Sequence, residues 1–416
     1  MDGMFRALKY RNYRLFFTGQ TLSLIGSWME QLAMSWLVYR ITGSPAWLGT
    51  VAFASQIPMF LISPFAGVAV DRYDKRRMLL TTQILYTLAS ATLATLVLGH
   101  WIQPWQLLIL GVFLGCVSAF DMPVRQALVV QLVEDRENLS NAIALNSAVF
   151  NLARLIGPAL AGVAIGLVGE GGCFVINSIS FLAVIIGILM MRLEKHVSDE
   201  QPQRAWSRMK EGARYAWNNI PIRSLLILMA AVSFVSGAYS VLITVYAKDI
   251  YHGDEHTLSY LSVSVGVGAL VASLALARRD SVIGLSRWIL YSAALMSVSL
   301  AIWGFTRNVW QGLPILAVNG FAAILQMGST NTMLQTIAED QMRGRVMSFY
   351  TMSFVGTMPI GSLVAGTLAT HVGTQWVLLV AGVIGLISAY FFYRSLPAIR
   401  AVLRPVYEAK GILRAT

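Results

Sequence analysis

Long apolar runs follow one another along the chain, divided by short polar stretches. The hydrocarbon core of a bilayer is roughly 30 Å thick, so a helix needs about 20 mostly apolar residues to cross it. Twelve runs meet that length, at 15–38, 46–70, 78–99, 105–130, 140–168, 172–191, 222–247, 257–277, 286–305, 309–335, 346–370 and 374–393. A closed β-barrel is the other spanning solution, but its strands alternate polar and apolar positions, and runs such as "FLAVIIGILMM" do not. The pattern predicts an all-α membrane protein of twelve transmembrane helices.

The longest polar interruption is the basic stretch 192–223, placed after the sixth run. It divides the chain into a first six-helix bundle (1–193), a linker (194–221), a second bundle (222–395) and a tail (396–416). An internal repeat supports the division. "QLVEDRENLSNAIALNSAVFNLARLIGPALAG" from Gln131 lies 204 residues before "QTIAEDQMRGRVMSFYTMSFVGTMPIGSLVAG" from Gln335, so that Asp135 faces Glu339 and Gly157, Ala161 and Gly162 match Gly361, Ala365 and Gly366. Two related six-helix halves in parallel orientation suit a transporter that rocks about a central cavity, although channels and membrane enzymes also carry repeats.

Composition agrees with a membrane location: 12% of residues are charged, 56% are hydrophobic and the mean hydropathy is +0.64. The net charge of +11 could point to nucleic acid. Yet the basic residues occupy seven separate segments without an interleaved aromatic platform, which makes nucleic-acid binding a poor reading. With the amino terminus inside, nearly all of them fall on one face, and only Arg40, Lys248 and Arg307 lie at the outer ends. That bias places both termini in the cytoplasm. The first apolar run is too long for a signal-peptide core and reads as a retained helix. Cys116 and Cys173 lie in or near apolar runs and carry no redox or metal signal.

The stretch "GVAVDRYDKRR", residues 67–77, holds six charged side chains between two apolar runs. It resembles motif A of the major facilitator superfamily, a Gly-x-x-x-Asp-Arg-x-Gly-x-Arg-Arg signature between helices two and three. Gly67, Asp71, Arg72, Arg76 and Arg77 match, and Asp74 stands at the second glycine. Gly67 would let two helices approach closely. Asp71, four residues on, could meet the amino-terminal dipole of a helix, the eleventh by family resemblance, starting near Val346. The arginines need acidic partners, and Asp121, four residues before Arg125, is the candidate. The resemblance implies a cytoplasmic latch of Gly67, Asp71, Arg72, Arg76, Asp121 and Arg125. The bland alternative is a loop whose charges only set topology.

No Gly-x-x-x-x-Gly-Lys-Ser/Thr loop occurs, so energy would come from an ion gradient. Glu30 lies at mid-depth of the first run, and an ionisable residue there is by default functional. Arg154 in the fifth run sits at a similar depth. The pair reads as a proton-coupling site, as a permanent ion pair holding two helices, or, through Glu30, as a contact for a cationic substrate.

"ARLIGPALAG", 153–162, resembles motif C, the antiporter element of the superfamily, through Gly157, Pro158 and Gly162, with Ala161 replacing a glycine. Pro158 bends the helix, and the glycines are expected to pack against the other half. The arginine of motif B is missing, with Gly111 at its place. By family layout the cavity is lined by helices one, four, seven and ten, which gives Ser27, Trp28, Met34, Ser236, Tyr239, Ser240, Asn319, Gln326, Met327 and Thr330; small polar residues also glue helices together. So adaptable and nearly uncharged a lining suits a bulky amphipathic solute.

Within the superfamily, "FDMPVRQALVVQLV" and "MLQTIAEDQMRGRV" look like the bacterial branch that holds the enterobactin exporter and macrolide efflux proteins. The resemblance implies a monomeric proton antiporter of the bacterial inner membrane, without cofactor or metal, exporting a siderophore-like, drug-like or lipid-like molecule. An importer or flippase of a lysophospholipid or nutrient is the alternative. From another class, an intramembrane enzyme would need a pattern such as His-Glu-x-x-His or Gly-x-Gly-Asp, which is missing, while a non-transporting receptor stays open as an alternative although no long extramembrane sensing stretch is seen.

Overall fold

The computed structural model describes residues 5–133, 135–191, 205–279 and 281–409. After a one-turn 3-10 helix (Arg6–Lys9) come α1 (Arg11–Thr42), α2 (Pro45–Arg72), α3 (Lys75–Leu98), α4 (Pro104–Leu132) and α5 (Arg136–Met190). They are followed by α6 (Ala205–Asn218), α7 (Ile220–Val245), a π-helical turn (Tyr246–Ile250), α8 (Glu255–Ala277), α9 (Leu285–Trp303), α10 (Val309–Ile337), α11 (Arg343–Val372) and α12 (Thr374–Ala409), with no strand among the described residues.

Among the described residues, ten helices are long and apolar enough to cross a membrane. Two features relate that number to the twelve runs of the sequence. α5, 55 residues long, is broken at Gly169, whose φ of 72° and ψ of 176° are non-helical, so it holds the fifth and sixth runs. α1 has the length, 32 residues, but Glu30, Gln31 and the polar residues around them lower the hydropathy of its middle.

Local chemistry sets the other boundaries. Asp74, where the motif A pattern has glycine, caps α3: its Oδ1 accepts the Arg77 backbone N–H at 2.7 Å. Gln103 and Gln106 close a reciprocal capping box at α4, with Pro104 in the first turn.

The chain forms two compact units that do not coincide with the expected bundles. One comprises Met1–Gln201 and Ile243–Val263, the other Pro202–Leu242 and Ser264–Thr416. The end of α7 and the start of α8 therefore belong with the first half. A core of Tyr13, Phe16, Val70, Leu79, Val124, Leu128, Val184 and Ile188 closes one end of the first unit. The linker contains α6, while its residues 194–204 lie outside the described part. The expected tail begins as a continuation of α12 as far as Ala409, and its last seven residues also lie outside.

Candidate functional site

Glu30 is buried, 8% exposed, near the middle of α1. Its Oε2 accepts hydrogen bonds from Ser90 Oγ of α3 and Asn177 Nδ2 of α5, each at 2.6 Å. One turn earlier on α1 is Gly26, where a Cβ would stand 2.4 Å from Asn177 Oδ1, so only glycine lets that amide reach the carboxylate. Two strong donors satisfy part of what a buried carboxylate needs. On the same side of α1 the amide of Gln20 and the hydroxyl of Ser23 are buried without a protein partner.

Arg154 lies on α5, its guanidinium carbon 5.8 Å from the centre of the Trp28 ring. Trp28 also meets Phe150 edge-on at 5.8 Å. The motif C residues sit close by. A Cβ on Gly157 would come within 2.4 Å of Trp28 Cβ and 3.0 Å of Ile25 O. This glycine thus packs on α1 of its own bundle, correcting the expectation that it faces the other half. The Pro158 carbonyl accepts from Ser259 Oγ of α8 at 2.7 Å, and a Cβ on Gly162 would stand 2.6 Å from Ser259 Cβ.

The motif A neighbourhood differs from the expectation in its partners. Arg76 donates from Nε to Ile188 O at 3.1 Å and from Nη2 to Leu189 O at 2.9 Å. It is spent on carbonyls in the last turn of α5, not on Asp121. Asp121 Oδ2 lies 2.5 Å from Arg125 Nε, an ion pair rather than an aligned hydrogen bond. Its Oδ1 accepts from Thr82 Oγ1 at 2.8 Å and Gln83 Nε2 at 2.7 Å. Arg72 is exposed. A Cβ on Gly67 would meet nothing within 4 Å, so no close helix approach is made there among the described residues. The side chain of Asp71 lies outside the described part.

The polar stripes of the second half are largely engaged in packing. Asn319 donates to Met296 O and Ser299 Oγ of α9, both at 3.1 Å, which makes it a helix-to-helix contact rather than an open lining residue. Ser236 donates back to Val232 O at 2.9 Å. Ser240 donates to Gly237 O at 2.9 Å and sits 3.2 Å from Ser362 Oγ. Tyr239 tilts against Trp303 at 6.0 Å, and the Met327 carbonyl accepts from Tyr350 at 3.1 Å. Gln326 donates to Thr330 at 3.3 Å, while its Oε1 is buried without a protein partner. On α1, Ser27 donates to Ser23 O at 2.8 Å, and Met34 is half-buried.

The segment Ile243–Val263 is fastened to α1 and α5 by polar contacts. Thr244 Oγ1 is 2.7 Å from Ser35 Oγ, Tyr39 donates to Asp249, and Lys248 lies 6.0 Å over the Trp36 ring and 5.5 Å over the Tyr39 ring. Beside them Arg40 pairs with Glu170 at 2.6 Å.

The sequence points to Glu30 but not to Ser90 or Asn177, 60 and 147 positions away. Their only signal is small polar character inside apolar runs, which many such residues share.

The sequence profile described as transmembrane secretion effector matches residues 3–407. Curated relatives include the staphyloferrin A transporter of Staphylococcus aureus, 25% identical over 91% of this chain and 95% of that protein. The multidrug efflux pump Tap of Mycolicibacterium fortuitum is 25% identical over 84% and 87%, and macrolide efflux protein A of Streptococcus pyogenes is 23% identical over 89% and 94%. Among solved structures, the nucleoside transporter NupG superposes with a TM-score of 0.74 over 94% of this chain and all of that one, at 13% identity. A bacterial homologue of the lysosomal transporter Spinster gives 0.69 over 95% and 98%, at 16% identity. These likenesses establish the fold.

Proposed function

The chain belongs to the transmembrane secretion effector family of the major facilitator superfamily and is a multi-pass membrane transporter, and from that premise we propose that it is a proton-coupled antiporter exporting a bulky amphipathic small molecule. The observation that carries the reading is the Glu30 carboxylate, buried at mid-depth of a membrane helix and held by Ser90 and Asn177. A carboxylate costs several kcal/mol to keep in such a place and persists where its protonation does work. Arg154, one turn before the Pro158 bend, supplies positive charge on the neighbouring helix. In this reading it compensates Glu30 when the proton has left. The Trp28–Phe150 pair offers flat apolar surface for the cargo. The motif A signature, with Asp121 and Arg125, controls access from the cytoplasmic face, where both termini lie. The protein works as a monomer in the bacterial inner membrane.

The relatives suggest two members of the test panel, a macrolide and staphyloferrin A, to which the amphipathic dye ethidium is added. Everted vesicles energised to an acidic interior are expected to accumulate at least one of them, with proton release reported by an entrapped pH dye. In the Glu30→Gln variant, gradient-driven accumulation falls to background while exchange of the same compound across the membrane continues. Wild-type accumulation in that variant would remove the coupling role.

A further inference from the structure

Between Glu30 and a second carboxylate in the same bundle, one face of α3 carries polar side chains, Gln83 and Ser90 buried and Tyr86 half-buried. α3 presents Gln83, Tyr86 and Ser90 at successive turns of one face, a span of about 10 Å at 1.5 Å per residue. At one end Ser90 holds Glu30 at 2.6 Å. At the other, Gln83 and its neighbour Thr82 hold Asp121 at 2.7 and 2.8 Å. Between them the Tyr86 hydroxyl is 2.7 Å from Ser118 Oγ, on α4 one turn before Asp121. Tyr86 lies within electrostatic reach of Asp121, Arg125 and Glu30 alike. Cys173 of α5 is also within electrostatic reach of Glu30.

Helix packing alone does not account for these groups. Gln83 is fully buried, and its Oε1 has no protein donor although its amide nitrogen is used. A buried acceptor left without a donor is costly, and water or a passing proton carrier satisfies it. The far end opens outward. Thr82, which donates to Asp121, also lines an open cavity of about 360 Å³, walled largely by Met78, Leu85, Val117 and Phe120 with Tyr73, Asp74 and Arg77 beside them. That volume is ample for water, whose share of the liquid is about 30 Å³ per molecule. On the predicted topology this cavity faces the cytoplasm.

We infer that α3 carries the proton between Glu30 and Asp121, and that Thr82 and its cavity give Asp121 its access to cytoplasmic water. The inference rests on the proton-coupled reading of Glu30. In the step, the O–H bond of the Glu30 carboxylic acid breaks. The proton passes along the Ser90 and Tyr86 hydroxyls and intervening water, and a new O–H bond forms on Asp121. No electrons move, and the two carboxylates exchange charge. Arg125, beside Asp121, holds the anion before the proton arrives. Gln83 positions the carrier and is not itself protonated.

The test needs no substrate. In liposome-reconstituted protein, infrared difference spectra follow the carboxyl C=O band after a step from H₂O to D₂O, and Glu30→Gln identifies the part belonging to Glu30. Tyr86→Phe keeps the ring stacked on Phe181, now 5.1 Å away, and removes only the hydroxyl. Gln83→Leu removes the positioning amide, and Ser178→Ala, which loses only a bond to the Thr87 carbonyl, serves as the control. Proton exchange at Glu30 is expected to slow roughly tenfold or more in Tyr86→Phe and Gln83→Leu, a change of at least 1.4 kcal/mol in barrier. The pH at which the band titrates should stay put, and the control should behave as wild type. Exchange at the wild-type rate in both variants, with the Glu30 band present, overturns the route and leaves the coupling reading standing. A band unchanged by Glu30→Gln overturns both.

Discussion

Asp135, just ahead of α5, accepts from the Tyr10 hydroxyl at 2.6 Å and from Lys9 at 3.3 Å, tying the amino-terminal turn to the start of that helix. The Tyr10 hydroxyl first, and then Lys9, hold its carboxyl below the usual carboxylate value, and Tyr10 and Asp135 hold the Lys9 amine above its own. A depressed carboxyl contributes at pH above its unfolded value and loses that contribution as pH falls through the folded one. A raised amine contributes below its unfolded value and loses it as pH rises through the folded one. The anchor should therefore survive the whole ordinary carboxylate range, release on its acidic side, and weaken again at alkaline pH as Lys9 loses its proton. A nitroxide on Arg6→Cys is expected to become mobile below that range and to gain mobility again at alkaline pH, and in the Asp135→Asn variant to be mobile at every pH. Single residues were legible in the sequence where a charge breaks an apolar run, as at Glu30, or repeats at helical spacing, as Asp121 and Arg125 do. Their partners were not, because Ser90 and Asn177 look in sequence like any small polar residue in a membrane helix. The partner chosen for the motif A arginines was wrong for Arg76, since carbonyls ending a helix carry no signature in the sequence.

At the level of elements, the break in α5 was visible as the gap between runs 140–168 and 172–191. The structure adds that a single residue makes it. Gly169 adopts a φ of 72° with an extended ψ, a region costing about 1–3 kcal/mol for a residue with a side chain. A Cβ there would meet nothing within 4 Å, so the penalty is purely conformational. Gly169→Ala is expected to lower stability by about that amount, read as a fall in the melting temperature of the purified protein, without loss of packing contacts. α6 escaped the sequence reading because it is only 14 residues long and lies in a stretch dominated by its basic charge. It is held in its own unit by the Glu211–Arg345 pair at 2.8 Å and by the Tyr215 hydroxyl accepting from Glu339 N at 3.3 Å.

For the molecule as a whole, the internal repeat has a structural counterpart in each unit. Gly157 of α5 packs on Ile25 and Trp28 of α1, and its equivalent Gly361 of α11 packs on Phe234 of α7, where a Cβ would stand 2.0 Å from the carbonyl oxygen. Ile243–Val263 nevertheless packs within the first unit, since a repeat reports common ancestry of two halves and not which contacts each half finally makes. A chain cut between Gln201 and Pro202 should show the difference. Fragment 1–201 alone is expected to be cut by protease at α1 and α5 faster than in the intact chain, and co-expression of 202–416 should restore protection.

That dependence also has a timetable. During synthesis α1 is complete about 200 residues before Ile243–Val263 exists, an interval of roughly 10–40 s at 5–20 residues per second. Throughout it Tyr39 awaits Asp249, and Trp36 its cation, so the nascent first half must be sheltered by lipid or by the insertion machinery until translation delivers the missing piece.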